Sequence, residues 1–252
     1  MQIGLYSLDQ AEQALEAFAA WQKDGGNDSN ANVIFSITLD LVVVGLTYDE
    51  PLDEPPNVFA PFFKLTPIQM LVPPSNNTFS LIYEIGNSIL PKEHLRATSS
   101  KVDSQLYKDV YHFWHEKALQ VRSTTCANQT FVLQNVPNCL AAQGHAKGGD
   151  PLNIPGFTHQ WWTTLVDWTN AEDDDLVRSV AIDTTAKWEE LSSERGLDVS
   201  FFYMDDASRD QNPIATYGVE NVNKLKSIAQ KYDKNGLFQT QQNGGFLLSK
   251  TL

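Results

Sequence analysis

The chain is poor in cysteine, in basic residues and in long apolar runs, and each shortage removes a class of protein. Only Cys126 and Cys139 are present, too few for a multi-bridge disulfide scaffold; the pair either closes a loop or stands as two unrelated buried thiols. Lysine and arginine number 18 against 31 aspartates and glutamates, a formal charge of −13. A nucleic-acid groove or an anionic membrane surface would meet long-range repulsion from such a chain, so neither is an expected partner. No stretch approaches the roughly 18 consecutive apolar residues of a membrane span; the run from Leu39 to Thr47 is short and broken by Asp40. The start, Met1 to Tyr6, lacks the basic-then-apolar order of a secretion signal and leads straight into a polar helix pattern.

Familiar chemical signatures are missing too. No G-x-G-x-x-G or G-x-x-x-x-G-K-[ST] follows a strand pattern, no internal repeat is present, and no G-x-S-x-G elbow occurs. His112, His115 and Glu116 share a helical stretch, but a zinc-protease helix needs histidines four apart around a glutamate. That order differs, so these residues are expected on a helix surface and no metal is expected.

With 252 residues and 42% hydrophobic content, the chain can bury a real core as one large or two modest domains. Three N-x-S/T sequons begin at Asn27, Asn76 and Asn128, which leans the localisation towards secretion as part of a longer precursor.

The first pattern is a helix. Ser7 and Gln10 suggest a capping box, Ala11, Leu15, Phe18 and Gln22 share a face, and Gly25-Gly26 ends it. Two β-branched runs follow, Val33 to Leu39 and Leu41 to Tyr48, with Asp40 as the turn. From Asp49 to Pro74 prolines forbid long ladders, while Phe59, Phe62 and Phe63 predict a packed loop rather than a tether. A second helix is predicted over Lys101 to Val121 and a strand over Thr130 to Val136. In the segment Trp161 to Trp168, alternation puts Trp162, Thr164, Val166 and Trp168 on one face, with Trp162 and Trp168 in the core.

The acidic run Glu172 to Asp175 suits the start of a third helix whose inner face is Val177, Ala181, Thr184, Trp188 and Leu191. A strand over Leu197 to Met204 and a last helix over Tyr217 to Tyr232, burying Val222, Leu225, Ile228 and Ala229, complete the reading. The predicted fold class is α+β: an antiparallel sheet covered by helices.

The stretch Phe201 to Phe246, FFYMDDASRDQNPIATYGVENVNKLKSIAQKYDKNGLFQTQQNGGF, resembles the C-terminal signature of fungal berberine-bridge-like FAD-linked oxidoreductases. The matching positions are Tyr217, Gly218, Asn221, Tyr232, Asp233, Phe238 and Gln239. GGDPLNIPG from Gly148 to Gly156, and the proline-aromatic stretch with Glu54, Pro55 and Phe59 to Phe62, are similar to the family as well.

The resemblance implies a substrate-binding domain over residues 1–205 and, over 206–252, the C-terminal segment of an FAD-binding domain, whose N-terminal half is expected to be absent from this chain. FAD is the implied cofactor. The family's Gly-Gly-His attachment pattern follows none of Gly25-Gly26, Gly148-Gly149 or Gly244-Gly245, so no covalent flavin link is expected.

The implied activity is oxidation of a small secondary-metabolite or sugar-like alcohol by hydride transfer to flavin, with a base facing the ring across the substrate. Asp206 is the candidate catalytic base. Tyr217 and Asn221 are candidates for cofactor contact, and Tyr203 and Asp150 for substrate contact, with Asp150 expected on a strand lining the cavity. Asp205 and Asp150 stand where the family usually carries Asn. The alternatives are a cofactor-free substrate-binding module or cyclase, or an inactive truncated gene product.

Overall fold

The computed structural model describes residues 1–78, 80, 81, 83, 84, 96–242 and 244–251. Among these residues seven strands form one sheet: β1 Gln2–Tyr6, β2 Ala31–Thr38, β3 Val42–Tyr48, β4 Gln69–Val72, β5 Thr98–Lys101, β6 Asn128–Val136 and β7 His159–Asp167. Their order is β4-β1-β3-β2-β6-β7-β5, and every pairing is antiparallel. The main helices are α1 Ala11–Asp24, α2 Ser104–Thr125, α3 Asn138–Ala146, α4 Asp174–Glu194 and α5 Val219–Tyr232, followed by the single turn α6 Leu237–Thr240. This is the predicted α+β arrangement.

Period-two alternation decides which residues meet the helices. On β2 and β6, Val33, Phe35, Ile37, Phe131 and Leu133 point to one face, and on β7 Trp162 and Val166 join them. Against that face lie Leu15, Phe18 and Trp21 of α1, Leu106, Tyr107, Val110 and Trp114 of α2, and Val177, Val180 and Trp188 of α4. Rings dominate this core: Phe131 touches Trp114, Trp162 and Trp188 at centroid distances of 5.5 to 5.9 Å. Trp168 packs at its margin, its indole N–H donating to Asp174 at 2.8 Å.

Several expectations give way. Residues 2–6 form a strand paired with both β3 and β4, although Gln2 and Gly4 weaken its sequence pattern. The capping box does not form: Ser7 caps nothing with its side chain, and α1 starts at Ala11 after a 3-10 turn. Gln10 instead exchanges two 2.9 Å bonds with the backbone of Thr66, tying the helix start to the proline-rich stretch. In that stretch Phe59 and Phe62 are buried while Phe63 is exposed.

The segment expected as a strand at Leu197 to Met204 makes a single bridge, Ser100 with Asp198. It then leaves the sheet edge, because Val199, Phe201 and Tyr203 pack over Trp161 instead of extending a ladder. Of the residues expected inside the last helix, only Val222 is buried; Leu225 packs in part and Ile228 is exposed. Cys126 and Cys139 are both free thiols.

Candidate functional site

The second face of the sheet positions the site. Ile34 and Ser36 of β2, Val43 of β3, Val132, Gln134 and Val136 of β6, and Trp161 and Thr163 of β7 alternate away from the helical core. Over β6 and β7 this face is covered by the chain's own C-terminal part. Val199, Phe201, Ile214, Tyr217 and Val222 form a second cluster with Val136 and Trp161, and Tyr203 packs against it. Over β2 the face is open, with Ile34 43% exposed.

The boundary between covered and open sheet is built on one cross-strand pair, Gln134 with Trp161. Tyr203 lies over Trp161 with ring centroids 4.4 Å apart and planes within 13°. Phe201 stacks on Trp161 at 5.5 Å, and Tyr217 on Phe201 at 6.1 Å. Offset stacks of this kind fix ring orientation as well as bury area. Beneath them His159 is locked: its Nδ1 contacts the Phe157 carbonyl at 2.8 Å and its Nε2 accepts from the Trp161 indole at 3.1 Å. That pattern defines a neutral ring with the proton on Nδ1, and burial pushes the His159 pKa down.

Asp206 sits over Gln134, whose Nε2 donates to its Oδ2 at 2.7 Å. A 3-10 turn, Met204–Asp206, separates the two adjacent aspartates: Asp205 faces solvent and Asp206 is 8% exposed. Burial pushes the Asp206 carboxyl up to about 6, the Gln134 hydrogen bond opposes the rise, and the charge of Asp205 adds to it. The Tyr203 hydroxyl donates to Asp205 at 2.9 Å. Tyr217 is 2% exposed, and among the described residues its hydroxyl has no hydrogen-bond partner. Burial pushes its pKa up to about 12, with Asp205, Tyr203 and Asp150 adding to the shift.

Asp150 belongs to a turn after α3, not to a strand. Its Oδ1 accepts from the Leu152 N–H at 2.9 Å and its Oδ2 from the Ile154 N–H at 2.7 Å. Asn221 reaches the same turn and donates through Nδ2 to the carbonyls of Asp150 at 2.9 Å and Pro151 at 3.1 Å. Both side chains are therefore spent on the Gly148–Ile154 turn, an Asx-type arrangement. Gly218, between Tyr217 and α5, has φ 82° and ψ 149°, a region open to glycine alone. A side chain there would also meet Asn153 at 3.2 Å.

Tyr203, Asp206 and Tyr217 thus come together at one corner, while Asp150 and Asn221 hold its flank. Gln134, Trp161 and His159 were missed as site residues; only the alternation that turns Trp161 away from Trp162 hinted at them. Asp210 meets Arg96 at 2.5 Å and Arg178 at 3.8 Å. Among the described residues no group of three His, Cys, Asp or Glu could hold a metal, and no helix is long and apolar enough to cross a membrane.

No family model matches the chain. Across 98% of its length it is 27% identical to an FAD-dependent monooxygenase of Arthrobotrys oligospora, covering 48% of that protein. Across 94% it is 25% identical to the bifunctional solanapyrone synthase of Alternaria solani, covering 46% of it. The chain therefore spans about half the length of the curated relatives it matches. In fold it is similar to BBE-like 1 of Physcomitrella patens, with a TM-score of 0.65 and 13% identity over 96% of this chain and 52% of that one. It is similar too to 6-hydroxy-D-nicotine oxidase of Arthrobacter nicotinovorans, with a TM-score of 0.64 and 12% identity over 94% and 52%.

The fold is thus that of about half of a berberine-bridge-like oxidase. In sequence the chain is similar to proteins named FAD-dependent, and FAD is the cofactor that this resemblance implies. Among the described residues, the sheet face over β2 is open and the buried Tyr217 hydroxyl lacks a hydrogen-bond partner, two features that a bound cofactor could complete.

Proposed function

We propose that this chain is the substrate-binding half of an FAD-dependent oxidoreductase, acting on a small secondary-metabolite or sugar-like alcohol at the corner formed by Tyr203, Asp206 and Gln134. Residues 1–205 would make the substrate domain, and residues 206–252 would join a flavin-binding region supplied by the rest of the relatives' length. FAD, when bound, supplies the acceptor for the hydride that leaves the substrate carbon.

The observation that carries the reading is the Asp206 carboxyl, buried beside the open sheet face, held by Gln134 and raised to about 6. A carboxylate with that pKa is ionised near neutral pH, yet basic enough to take a hydroxyl proton as the carbonyl forms. The proton passes from the substrate oxygen to an Asp206 oxygen, and the Gln134 N–H fixes that carboxylate's direction. The Tyr203 ring, pinned between Trp161 and its bond to Asp205, offers a flat surface for the body of the substrate. Tyr217 remains the candidate for cofactor contact, since its hydroxyl has no hydrogen-bond partner among the described residues.

The test pairs the chain with a flavin-binding region covering the other half of the relatives' length and follows flavin reduction by candidate alcohols. Asp206→Asn is expected to slow reduction by about 10²-fold or more while circular dichroism stays unchanged. Unaltered reduction in that variant would remove Asp206 from the role. The 252-residue chain alone is expected to show no flavin absorbance, and a yellow preparation would overturn that part.

A further inference from the structure

We infer that the cavity between Arg96 and Arg178 binds a small monovalent inorganic anion of halide size, which links α4 to the segment that follows Asp206. The inference stands apart from the Tyr203–Asp206 corner and does not depend on its chemistry.

Arg178 is the first observation. Among the described residues every other cation in an ion pair has a carboxylate oxygen at 2.9 Å or less, whereas Arg178 has only that of Asp210, at 3.8 Å. Its side chain is nevertheless the least exposed of these cations, at 14%. Asp174 and Asp175, a turn earlier on α4, are its natural helical neighbours, and neither pairs with it; Asp174 accepts the Trp168 indole N–H instead. A guanidinium carries five N–H donors, and taking it out of water without acceptors is costly. Arg96 is nearly as buried, at 15%, but it is satisfied: its Nε donates to Thr185 at 2.7 Å and its Nη1 to Asp210 at 2.5 Å.

The second observation is the space these groups meet. Arg96, Arg178 and Ser208 line one cavity with Val166, Val177 and Ala181, and Ile182, 39% exposed, borders it as well. It measures about 10 Å³, room for one particle the size of a water. Burial works against the Asp210 charge, but hydrogen bonds from Ser208 and Arg96 outweigh it and hold that carboxyl down to about 2. At neutral pH two guanidinium groups therefore face a single carboxylate. Glu189, another carboxylate within electrostatic reach of Arg96, lies roughly 16 Å along α4 from Arg178.

The surplus positive charge and the size of the cavity together choose the ligand. A water would fill the volume and leave the charge uncompensated, whereas a single-atom anion accepts from Arg178 and neutralises it. Carboxylate or phosphate esters are too large, and a cation is opposed by both arginines. The apolar remainder of the wall suits a weakly hydrated ion. An ion seated there would join α4, through Arg178, to Ser208 and to the residue that leads into β5, Arg96.

The experiment varies the anion while charge and screening stay fixed. The 252-residue chain is melted in sodium gluconate, which is replaced stepwise by chloride or bromide at a constant ionic strength of about 150 mM. Gluconate is also monovalent but far too large for the cavity. Chloride and bromide are each expected to raise Tm along a saturating curve, by about 3 °C or more at full exchange. Arg178→Gln is expected to abolish the rise, and Ile182→Phe, which fills the cavity and leaves both charges in place, to do the same. Arg195→Gln, which removes an arginine paired with Asp109 elsewhere, is expected to keep it. In crystals soaked with bromide, an anomalous peak is expected between Arg96 and Arg178.

A Tm indifferent to the exchange would mean a cavity filled by water alone and would overturn the inference. So would a rise that persisted in Arg178→Gln and Ile182→Phe, or one that grew without saturating, as general salt action does. If neither variant folded, the bromide map of the parent would decide: ordered bromide elsewhere with none in this cavity would refute the site.

Discussion

Gln134 and Asp206 meet at 2.7 Å across 72 residues of sequence, the amide nitrogen on a strand donating to a carboxylate on a 3-10 turn. That bond and the burial around it act in opposite directions on the same proton. Burial dominates, so Asp206 titrates near 6 in the folded protein against about 3.9 in an open chain. The folded state then holds more protons than the unfolded one between about pH 4 and 6, and stability falls as pH rises through that window. Among the described residues the charged group acting on Asp206 is Asp205, which adds to the shift. Asp206→Asn keeps a partner for Gln134 and removes the buried charge. It is expected to raise stability at pH 7 by roughly 1–3 kcal/mol and to flatten the fall between pH 4 and 6. Urea midpoints across that range decide it, and a variant no more stable than the parent at pH 7 would argue against a buried, raised carboxyl.

His159 should show the reverse dependence. Its pKa is pushed down by burial, so the folded state holds fewer protons than the unfolded one and stability is lost as pH falls below about 6.5. Protonation would also set an N–H against the Trp161 indole N–H that Nε2 now accepts. Nitrogen-detected NMR of histidine-labelled protein is expected to find the Nδ1-protonated neutral ring at pH 6.5. A ring already charged at that pH would contradict the geometry.

How far the sequence revealed these features depends on range. Helix faces such as Leu15-Phe18-Gln22 and Val177-Ala181-Trp188, and the alternation of β7, follow from local periodicity and were legible. So was the C-terminal signature that carries the family resemblance. The strand at residues 2–6 was not, because its pairing energy comes from β3 and β4, and Gln2 and Gly4 carry no strand preference of their own. The segment 197–204 reads as a strand because its apolar residues alternate, but Trp161 on a distant strand captures them. Asp206 was singled out by resemblance; its environment, set by Gln134 and Trp161, belongs to tertiary contacts that no local pattern encodes. Asp150 and Asn221 were likewise singled out by resemblance, and that both bond the turn beside the site is again a tertiary matter.

The Asp150 turn yields a stability prediction. Its two carboxylate oxygens accept from two backbone N–H groups, and its own carbonyl accepts from Asn221. Asp150→Ala is expected to cost about 1–3 kcal/mol, and Asp150→Asn less, because one acceptor oxygen survives. Asn221→Ala should cost a similar amount through the loss of two donated bonds. A double variant costing less than the two single changes combined, measured by denaturant unfolding, would report the coupling of one shared turn. Strict additivity would show that the two residues act separately.

The two cysteines give the last prediction. Cys126 ends α2 with φ 57° and an exposed side chain, and Cys139 lies at the second position of α3, half-buried. A thiol's reaction rate follows its access to reagent as well as its pKa. Under native conditions without reductant, alkylation followed by mass spectrometry is expected to label Cys126 fully and first, with Cys139 lagging behind it. After unfolding both should label completely, giving a mass increase of two adducts. A peptide map with Cys126 linked to Cys139, or labelling of Cys139 ahead of Cys126, would show that the α2–β6 and β6–α3 junctions differ from the arrangement described.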